Sequence, residues 1–318
     1  MRRFRHRRRL AIAVAMASVS ALTTTMLTTA FAAPETSARK AQIDASSRTV
    51  AVGKPVTLRG TFPDAANARV EIRHRAAGSK RWVNAGHTTT GASGRYATRV
   101  SPRRSGYWRA ELATPSVRTA QASTEGARID SGTGSERIAV RSRTRATVHG
   151  RHATAGRTVR VEGKVTPAGI RRKVVVQIGG REETTRAGRD GRFSVTWNAR
   201  STGTYPVRVK ARSNRIAKGS GDRAGRVTVY RPAAASWYGP GLYGNTMACG
   251  GTLTPSTLGV AHKSMPCGTK LTLRYGGRSV NVRVVDRGPF AGNREFDLTS
   301  ATKQRLGFPD VGTVLTSR

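Results

Sequence analysis

The chain has 318 residues, which is enough for two or three domains of ordinary size. It carries 57 Lys and Arg residues against 17 Asp and Glu residues, so its formal net charge is +40. This imbalance excludes a surface of balanced charge and indicates either arginine-rich solvated faces or attraction to a polyanion. Nucleic acid and anionic cell-wall polymer are both polyanions, and charge alone does not separate them.

The N-terminal segment predicts export from the cell. The basic stretch MRRFRHRRR precedes an uncharged stretch, and Ala30 and Ala32 form an A-x-A cleavage signal. We therefore expect a signal peptide at residues 1–32 and a linker at 33–39, with an uncleaved membrane anchor as the alternative. Loss of the six arginines in the signal peptide lowers the net charge from +40 to +34.

Export decides the expected partner. We expect a secreted, extracellular or wall-associated protein that meets no nucleic acid, so anionic wall polymer becomes the better polyanion. After signal cleavage, we expect no stable membrane insertion. The sequence contains no nucleotide-binding Gly-rich loop, no HExxH and no GxSxG motif, which argues against the enzyme classes that those motifs define.

The two cysteines, Cys249 and Cys267, predict a disulfide because exported proteins meet an oxidising environment. Such a bond would close a loop of about 18 residues and stabilise the fold by roughly 3 kcal/mol. Two buried free thiols are the alternative. No cluster of further ligands lies near the pair in the sequence, so we expect neither a metal site nor a cofactor.

Residues 40–142 and 143–232 form an internal sequence repeat. Three segments recur in the same order in both: VGKPVTLRGTF (52–62) with AGRTVRVEGKV (155–165), GASGRYATRV (91–100) with GRDGRFSVTW (188–197), and SGYWRAEL (105–112) with TGTYPVRV (202–209). Apolar residues alternate with polar ones in these segments, as on strands with one buried face. The pattern predicts two tandem β-sandwich modules of immunoglobulin-like type.

Residues 233–318 form the third predicted module. The stretches KLTLRY (270–275) and SVNVRVVD (279–286) alternate as strands, and Gly276–Gly277 between them indicates a hairpin. Residues 299–308 predict one short helix. The remainder reads as strand and loop, so we expect an all-β chain that ends in a small closed β-barrel.

Three stretches of this module carry a family resemblance. ASWYG, TPSTLGVAHKSMPCGTKLTLRYGGRSVNVRVVDRGPF and REFDLTSATKQRLGF resemble the double-psi β-barrel of the rare lipoprotein A (RlpA) family, which is related in fold to expansins and barwin-like proteins. The resemblance covers residues 234 to about 315. Some family members are lytic transglycosylases, which cut peptidoglycan glycan strands without water. The founding architecture has a lipid anchor and a peptidoglycan-binding repeat domain, whereas two predicted sandwich modules precede the barrel here.

The resemblance assigns catalytic roles to two residues. It places the family's catalytic acid on Asp286, in VVDRGPF, and its partner histidine on His262, in AHK. The alternative for Asp286 is a turn residue that bonds the backbone of Arg287 and Gly288. The alternative for His262 is a structural histidine.

The resemblance also implies substrate contacts. It brings Trp237 and Tyr238 of ASWYG to the expected groove, together with Asp297 and with Arg287, the neighbour of the catalytic acid. The aromatic residues would stack on sugar faces, and barrel packing is their alternative. A positive charge at Arg287 would oppose a raised pKa at Asp286 unless its side chain points away.

The chemistry of glycoside cleavage limits which residues can act as the acid, independently of the family resemblance. Residues 233–318 contain only four acids: Asp286, Glu295, Asp297 and Asp310. Hydrolysis of a glycoside usually needs two carboxyl groups, whereas a transglycosylase needs one, which protonates the leaving oxygen and then accepts the proton of the muramyl 6-hydroxyl. The leading hypothesis is therefore a secreted peptidoglycan lytic transglycosylase. The alternatives are a non-catalytic, expansin-like wall-loosening protein and a basic adhesion protein whose sandwiches bind wall polymer.

Overall fold

The computed structural model describes residues 40–113 and 132–318, so the predicted signal peptide (1–32) and linker (33–39) lie outside the described residues. Strands dominate this part of the chain, and its one α-helix is the seven-residue α1 (Ser300–Leu306). The prediction of an all-β chain with one short helix is confirmed. Among the described residues, no helix is both long and apolar enough to cross a membrane.

The described residues of the first module, 40–113 and 132–142, contain eight strands. They are β1 (Gln42–Ala45), β2 (Thr49–Ala51), β3 (Val56–Thr61), β4 (Arg69–Ala76), β5 (Val83–Thr89), β6 (Arg95–Val100), β7 (Gly106–Leu112) and β8 (Glu136–Arg141). A three-stranded sheet, β1-β3-β6, packs on a five-stranded sheet, β2-β8-β7-β4-β5. Alternate residues of both sheets fill one core, as the buried Leu58 and Tyr96 on one side and Ile72 and Trp108 on the other show.

The second module repeats this arrangement strand for strand. It contains β9 (Arg143–His149), β10 (His152–Thr154), β11 (Thr158–Thr166), β12 (Lys173–Ile178), β13 (Arg181–Arg186), β14 (Arg192–Asn198), β15 (Gly203–Ala211) and β16 (Ser220–Tyr238). Its small sheet runs β14-β11-β9, and its large sheet runs β10-β16-β15-β12-β13. Both modules thus place a short second strand parallel to their last strand, β2 on β8 and β10 on β16. The shared strand order agrees with the repeat predicted from sequence.

The C-terminal module is a closed barrel. After the end of β16 it contains β17 (Val260–His262), β18 (Lys270–Tyr275), β19 (Arg278–Asp286), β20 (Phe296–Thr299) and β21 (Gly312–Thr316). The order is β16-β20-β17-β19-β18-β21, and β21 pairs back onto β16, which closes the ring. Apolar side chains from every one of these strands fill the centre. The hairpin predicted around Gly276–Gly277 is present as β18 and β19.

A single strand joins the second sandwich to the barrel. Strand β16 pairs with β15 from Ser220 to Val229, and then with β21 from Arg231 onward. The predicted boundary between residues 232 and 233 falls inside this strand. Pro232, which has no backbone N–H, lies just past the point where the strand exchanges one partner for the next. The two modules therefore share continuous sheet hydrogen bonding.

The disulfide predicted from sequence is present. Cys249 and Cys267 are bonded across 18 positions of sequence. The bond links the loop before β17 to the loop after it, and the Cys249 amide also donates to the Val285 carbonyl at 3.2 Å. The bond therefore ties down the loops on both sides of β17.

Replacing both Cys249 and Cys267 with Ser should lower the free energy of unfolding by about 3 kcal/mol, because the unfolded chain gains the entropy of the opened loop. Denaturant unfolding monitored by tryptophan fluorescence measures this change. A reducing agent should lower the free energy of unfolding of the native protein by the same amount and leave that of the double variant unchanged. Equal midpoints for oxidised native protein and variant would contradict the prediction.

Candidate active site

Two carboxylates lie on either side of one small residue in the barrel wall. Strand β17 lies between β19 and β20, and Ala261 of β17 is paired with Asp286 on one side and with Asp297 on the other. Neighbouring strands are about 4.8 Å apart, so the backbones of the two acids are separated by about 10 Å. Both acids line the same pocket together with Ala261.

A bulge turns Asp286 toward this pocket. Val280, Val282 and Val284 of β19 point into the barrel core, and regular alternation would send Asp286 the same way. The pairing shifts, however, because Val260 opposes Val284 whereas Ala261 opposes Asp286. Val285 is thus one extra residue in β19, and a bulge of this kind re-aims the side chain that follows it.

Gly259 makes room for the bulge. A methyl group added at Gly259 would overlap the Val285 side chain, so only glycine fits opposite the extra residue. The Gly259 amide and carbonyl are both held by the buried hydroxyl groups of Thr299 and Thr302. This network fixes the backbone against which the bulge packs.

The Asp286 carboxylate is anchored through one oxygen. Its Oδ1 accepts hydrogen bonds from the backbone amides of Ala248, at 2.8 Å, and Arg287, at 2.9 Å. The bond from the Arg287 amide is the contact expected if Asp286 is a turn residue. Neither bond uses Oδ2, so the turn role and a chemical role are compatible. Gly288 follows with a φ of 122°, a conformation that favours glycine and lets the chain turn away from the strand.

The carboxyl group of Asp297, which is half-buried like Asp286, is held differently. Its Oδ1 accepts a hydrogen bond of 2.7 Å from the Ser236 hydroxyl, which the parallel pairing of β16 and β20 places beside it. Burial raises the pKa of Asp297, and the Ser236 hydroxyl and the charge of Arg294 oppose that rise while Asp286 adds to it. A carboxyl group with a raised pKa holds its proton to higher pH than an exposed aspartate.

Tyr238 completes the polar part of the pocket. Its hydroxyl is buried beside the Asp286 carboxylate but forms no hydrogen bond of good geometry among the described residues. Burial, followed by the negative charge of Asp286 and a weak hydrogen bond to it, raises the pKa of this hydroxyl, so it stays protonated and can donate. The pocket has a volume of about 340 Å³. A protonated donor beside two carboxylates suits a substrate rich in hydroxyl and ether oxygens.

Arg287 lines the pocket, but its guanidinium group is engaged elsewhere. Its Nη1 donates to the carbonyl oxygens of His262, at 3.3 Å, and Met265, at 3.0 Å, and its Nη2 lies 3.1 Å from the Cys267 sulfur. The side chain therefore points to the loop after β17 and not to the Asp286 carboxylate. This is the orientation that the sequence argument required of Arg287 if Asp286 is to serve as an acid.

His262 lies on the opposite face of β17 from Ala261 and does not line the pocket. Its ring packs against Phe296, with the ring centres 5.1 Å apart. Its Nδ1 accepts hydrogen bonds from the amides of Ser264, at 3.1 Å, and Met265, at 2.8 Å, so the proton of the neutral ring is on Nε2. Burial lowers the pKa of His262, which favours that neutral form.

The Nε2 atom of His262 lies 3.7 Å from Glu295. Glu295 is itself clamped by Arg231, whose guanidinium donates to both carboxylate oxygens at 2.7 and 2.5 Å. Those two bonds lower the pKa of Glu295. The arrangement orients the histidine ring on the core side of the barrel.

Trp237 also faces away from the carboxylates, since it alternates with Ser236 and Tyr238 along β16. Its indole Nε1 donates to Asp310 at 2.7 Å, and the Lys303 ammonium lies 3.8 Å from the ring centre. The structure thus brings together four predicted site residues, Asp286, Asp297, Tyr238 and Arg287, and places Trp237 and His262 outside the pocket. The roles themselves stay predictions.

Two apolar residues at the pocket were not among the predicted site residues. Phe290 has 81% of its surface exposed and Leu242 has 44%, and both line the pocket. Exposed apolar side chains of this size beside a polar cleft are typical of a binding surface. A sequence signal was available for Phe290, because an aromatic residue directly after a Gly-Pro turn has no strand in which to be buried.

Comparison with known proteins agrees with this geometry. Residues 232–316 match the family model described as "Lytic transglycolase". The endolytic peptidoglycan transglycosylase RlpA of Campylobacter jejuni is 42% identical over 81 residues, which cover 25% of this chain and 30% of that protein. The proteins of the same name from Neisseria meningitidis (42% over 81 residues, 25% of this chain and 34% of that protein) and Pseudomonas aeruginosa (41% over 81 residues, 25% and 24%) are similar to the same extent.

The closed barrel and the family match together make the C-terminal module a double-psi β-barrel similar to that of the lytic transglycosylases. Its known counterparts are the RlpA proteins, and the resemblance predicted from sequence is confirmed for this module. The matched segment spans about a third or less of each of these three relatives. Among solved structures, the Yersinia pseudotuberculosis adhesin InvE has 12% identity and a TM-score of 0.32 over 60% of this chain and 59% of that one, a level that supports no inference.

Replacing Ser236 with Ala should raise the pKa of Asp297 further, because the Ser236 hydroxyl donates to the charged form of this carboxyl group. Carboxyl-carbon NMR titration of the native protein and the variant measures the shift directly. Ser279→Ala, an exposed hydroxyl on β19, is the matched control and should leave the titration unchanged. An unchanged or lower pKa in the Ser236 variant would show that the hydrogen bond does not operate in solution.

Proposed function

We propose that this protein is a secreted, wall-associated lytic transglycosylase whose barrel cleaves the glycan strands of peptidoglycan. The observation that carries the proposal is the pair Asp286 and Asp297, which flank Ala261 on one face of three adjacent strands and open into one pocket. The match of residues 232–316 to the lytic transglycosylase model supports the same activity. The predicted signal peptide supports the location.

The reaction is a balanced transfer within the glycan strand. A carboxyl group donates its proton to the glycosidic oxygen as the bond from that oxygen to the muramyl anomeric carbon breaks. The 6-hydroxyl oxygen of the same muramyl residue bonds to the anomeric carbon and gives its proton to a carboxylate. The product is a 1,6-anhydro ring, and no water is consumed. Positioned acid–base catalysis of this kind contributes about 10²–10⁴ to a rate.

Asp286 is the residue that exchanges protons in this scheme. The two backbone amides on Oδ1 hold its carboxyl group in place, and Oδ2 is not used by either bond. Asp297, with its raised pKa, and Tyr238, with its protonated hydroxyl, bind the sugar oxygens around the scissile bond. Phe290 and Leu242 offer apolar surface to the sugar rings at the pocket.

His262 acts as a positioning residue in this proposal. Its ring accepts hydrogen bonds from two amides of the loop that follows β17, and Arg287 donates to the carbonyl of Met265 in that loop and to the carbonyl of His262 itself. Arg287 is the neighbour of Asp286, so the loop, the arginine and the carboxylate form one connected unit. Through this unit His262 influences Asp286 without lining the pocket.

Asp286→Asn should fold normally, bind glycan and release anhydro-muramyl product about 10²–10⁴ times more slowly than the native protein. The amide oxygen still accepts the two backbone bonds, so stability is retained. Mass spectrometry of digested, purified glycan strands measures the product, and thermal melts report the fold. Asp310→Asn, an acid of the same barrel outside the pocket, is the control and should keep near-native activity.

Cleavage at the native rate by folded Asp286→Asn would remove this residue from the mechanism. Binding of the native protein to sacculi with no product released would instead support the expansin-like alternative.

His262→Asn and His262→Leu together separate positioning from chemistry. The Asn amide oxygen occupies nearly the place of Nδ1, so it can accept the bonds from Ser264 and Met265, whereas Leu cannot. We expect the Asn variant to retain most of the activity with an unchanged pH profile, and the Leu variant to lose it. Equal loss in both variants, with a changed pH profile, would indicate that His262 takes part in proton transfer.

A further inference from the structure

A second concave surface lies between the second sandwich and the barrel. It has a volume of about 1350 Å³, and its walls come from β10, β15 and β16 on one side and from β18, β19 and the end of β21 on the other. We call this surface the junction cleft. No residue lines both it and the pocket of Asp286. It is therefore a separate feature of the described part of the molecule.

The junction cleft has a one-sided charge. Five cationic side chains line it and no Asp or Glu does: Arg151, Arg226, Lys270, Arg283 and Arg318. All five are exposed, and none takes part in an ion pair among the described residues. Uncompensated like charges in a concave surface repel one another and focus a positive potential. An anion bound there removes that repulsion.

The two walls of the cleft are joined by one strand. Strand β16 contributes to the sandwich wall and runs unbroken into the barrel, where it pairs with β21. Tyr230, at the junction itself, is fully buried, and its hydroxyl lies 2.9 Å from Nδ1 of His152 on β10. The cations from the two modules are thus held at fixed separations, and little conformational entropy is lost when a ligand binds.

The rest of the lining distinguishes among polyanions. Hydroxyl and amide side chains lie between the cations, including Thr204, Thr272 and Asn281. Of the two tyrosines in the cleft, Tyr230 is fully buried, and Tyr205 is half-buried, packs edge-on against Trp197 and donates its hydroxyl to backbone carbonyls. Single-stranded nucleic acid relies on a series of exposed aromatic faces for base stacking, and the described residues of this cleft provide no tryptophan, phenylalanine or fully exposed tyrosine for it.

We propose that the junction cleft binds a linear polyol-phosphate chain, the phosphodiester class of anionic wall polymer. The cations contact the phosphates, and the hydroxyl and amide groups bond the polyol oxygens between them. The cleft would hold the barrel against the wall while its pocket acts on the glycan. This inference is independent of the proposed catalytic activity, because the two sites share no residue.

The test uses fluorescently labelled synthetic poly(glycerol phosphate) of defined length and the full mature protein. The variant Arg226→Gln/Lys270→Gln/Arg283→Gln removes cations from both walls of the cleft. Anisotropy titrations at several salt concentrations should show about tenfold or greater loss of affinity. The slope of log affinity against log salt should become shallower by about 2 if each lost cation had held one phosphate.

The control variant Arg59→Gln/Arg95→Gln/Arg99→Gln removes the same charge from the exposed face of β3 and β6 and should bind like the native protein. Oligothymidine with the same number of phosphates should bind the native protein more weakly than the polyol phosphate. Native affinity in the cleft variant, or an equal loss in the control, would overturn the proposal. So would oligothymidine that binds as tightly and is lost through the same three substitutions.

Discussion

The active site depends on one extra residue in a strand. If β19 continued past Val284 without the bulge, Asp286 would follow the alternation into the barrel core, where an ionised carboxylate would lie among valines and leucines. The bulge moves that carboxylate to the outer face, level with Ala261 and across from Asp297. Gly259 is required opposite Val285 because any side chain there would overlap it. The pocket therefore depends on the close packing of Gly259 against Val285.

The same strand register explains why the predicted site residues divide between two faces. Tyr238, Asp286 and Asp297 lie on one face, where Ser236 donates to Asp297. Trp237 and His262 alternate with them and meet the core side, where Lys303 covers the indole and Phe296 packs on the imidazole. Residues adjacent in a motif can thus have unrelated environments. Motif similarity identified the right segments of chain, but it carries no information about the face on which each side chain lies.

Local patterns predicted the fold well. Alternation and turn residues are short-range signals, so the hairpin around Gly276–Gly277 and the repeated order of the sandwich strands followed from sequence alone. The bulge did not, because the consecutive Val284 and Val285 show only where the alternation of SVNVRVVD ends, and the shift arises from pairing with a distant strand. The continuity of β16 was equally hidden, since Pro232 and the change of composition near it suggest an interruption. Only the exchange of partners from β15 to β21 explains how the strand continues.

The continuity of β16 determines how the barrel is positioned relative to the second sandwich. A flexible linker would let the barrel sample orientations freely, whereas shared sheet hydrogen bonding fixes the barrel relative to the second sandwich. One continuous strand thereby positions two surfaces of different chemistry: a small pocket with two acids and a large cleft with five cations. Part of the strong positive charge of the chain is concentrated in the junction cleft. The cleft shares no residue with the pocket that contains the carboxylates of the proposed cleavage reaction.

The most direct test of this account is a crystal structure of the Asp286→Asn variant with an intact muramyl-containing glycan strand. The account predicts a glycosidic oxygen within hydrogen-bond distance of the side chain at position 286, with Asp297 and Tyr238 bonded to neighbouring sugar oxygens. A strand bound on the opposite face, against Trp237 or His262, would contradict it.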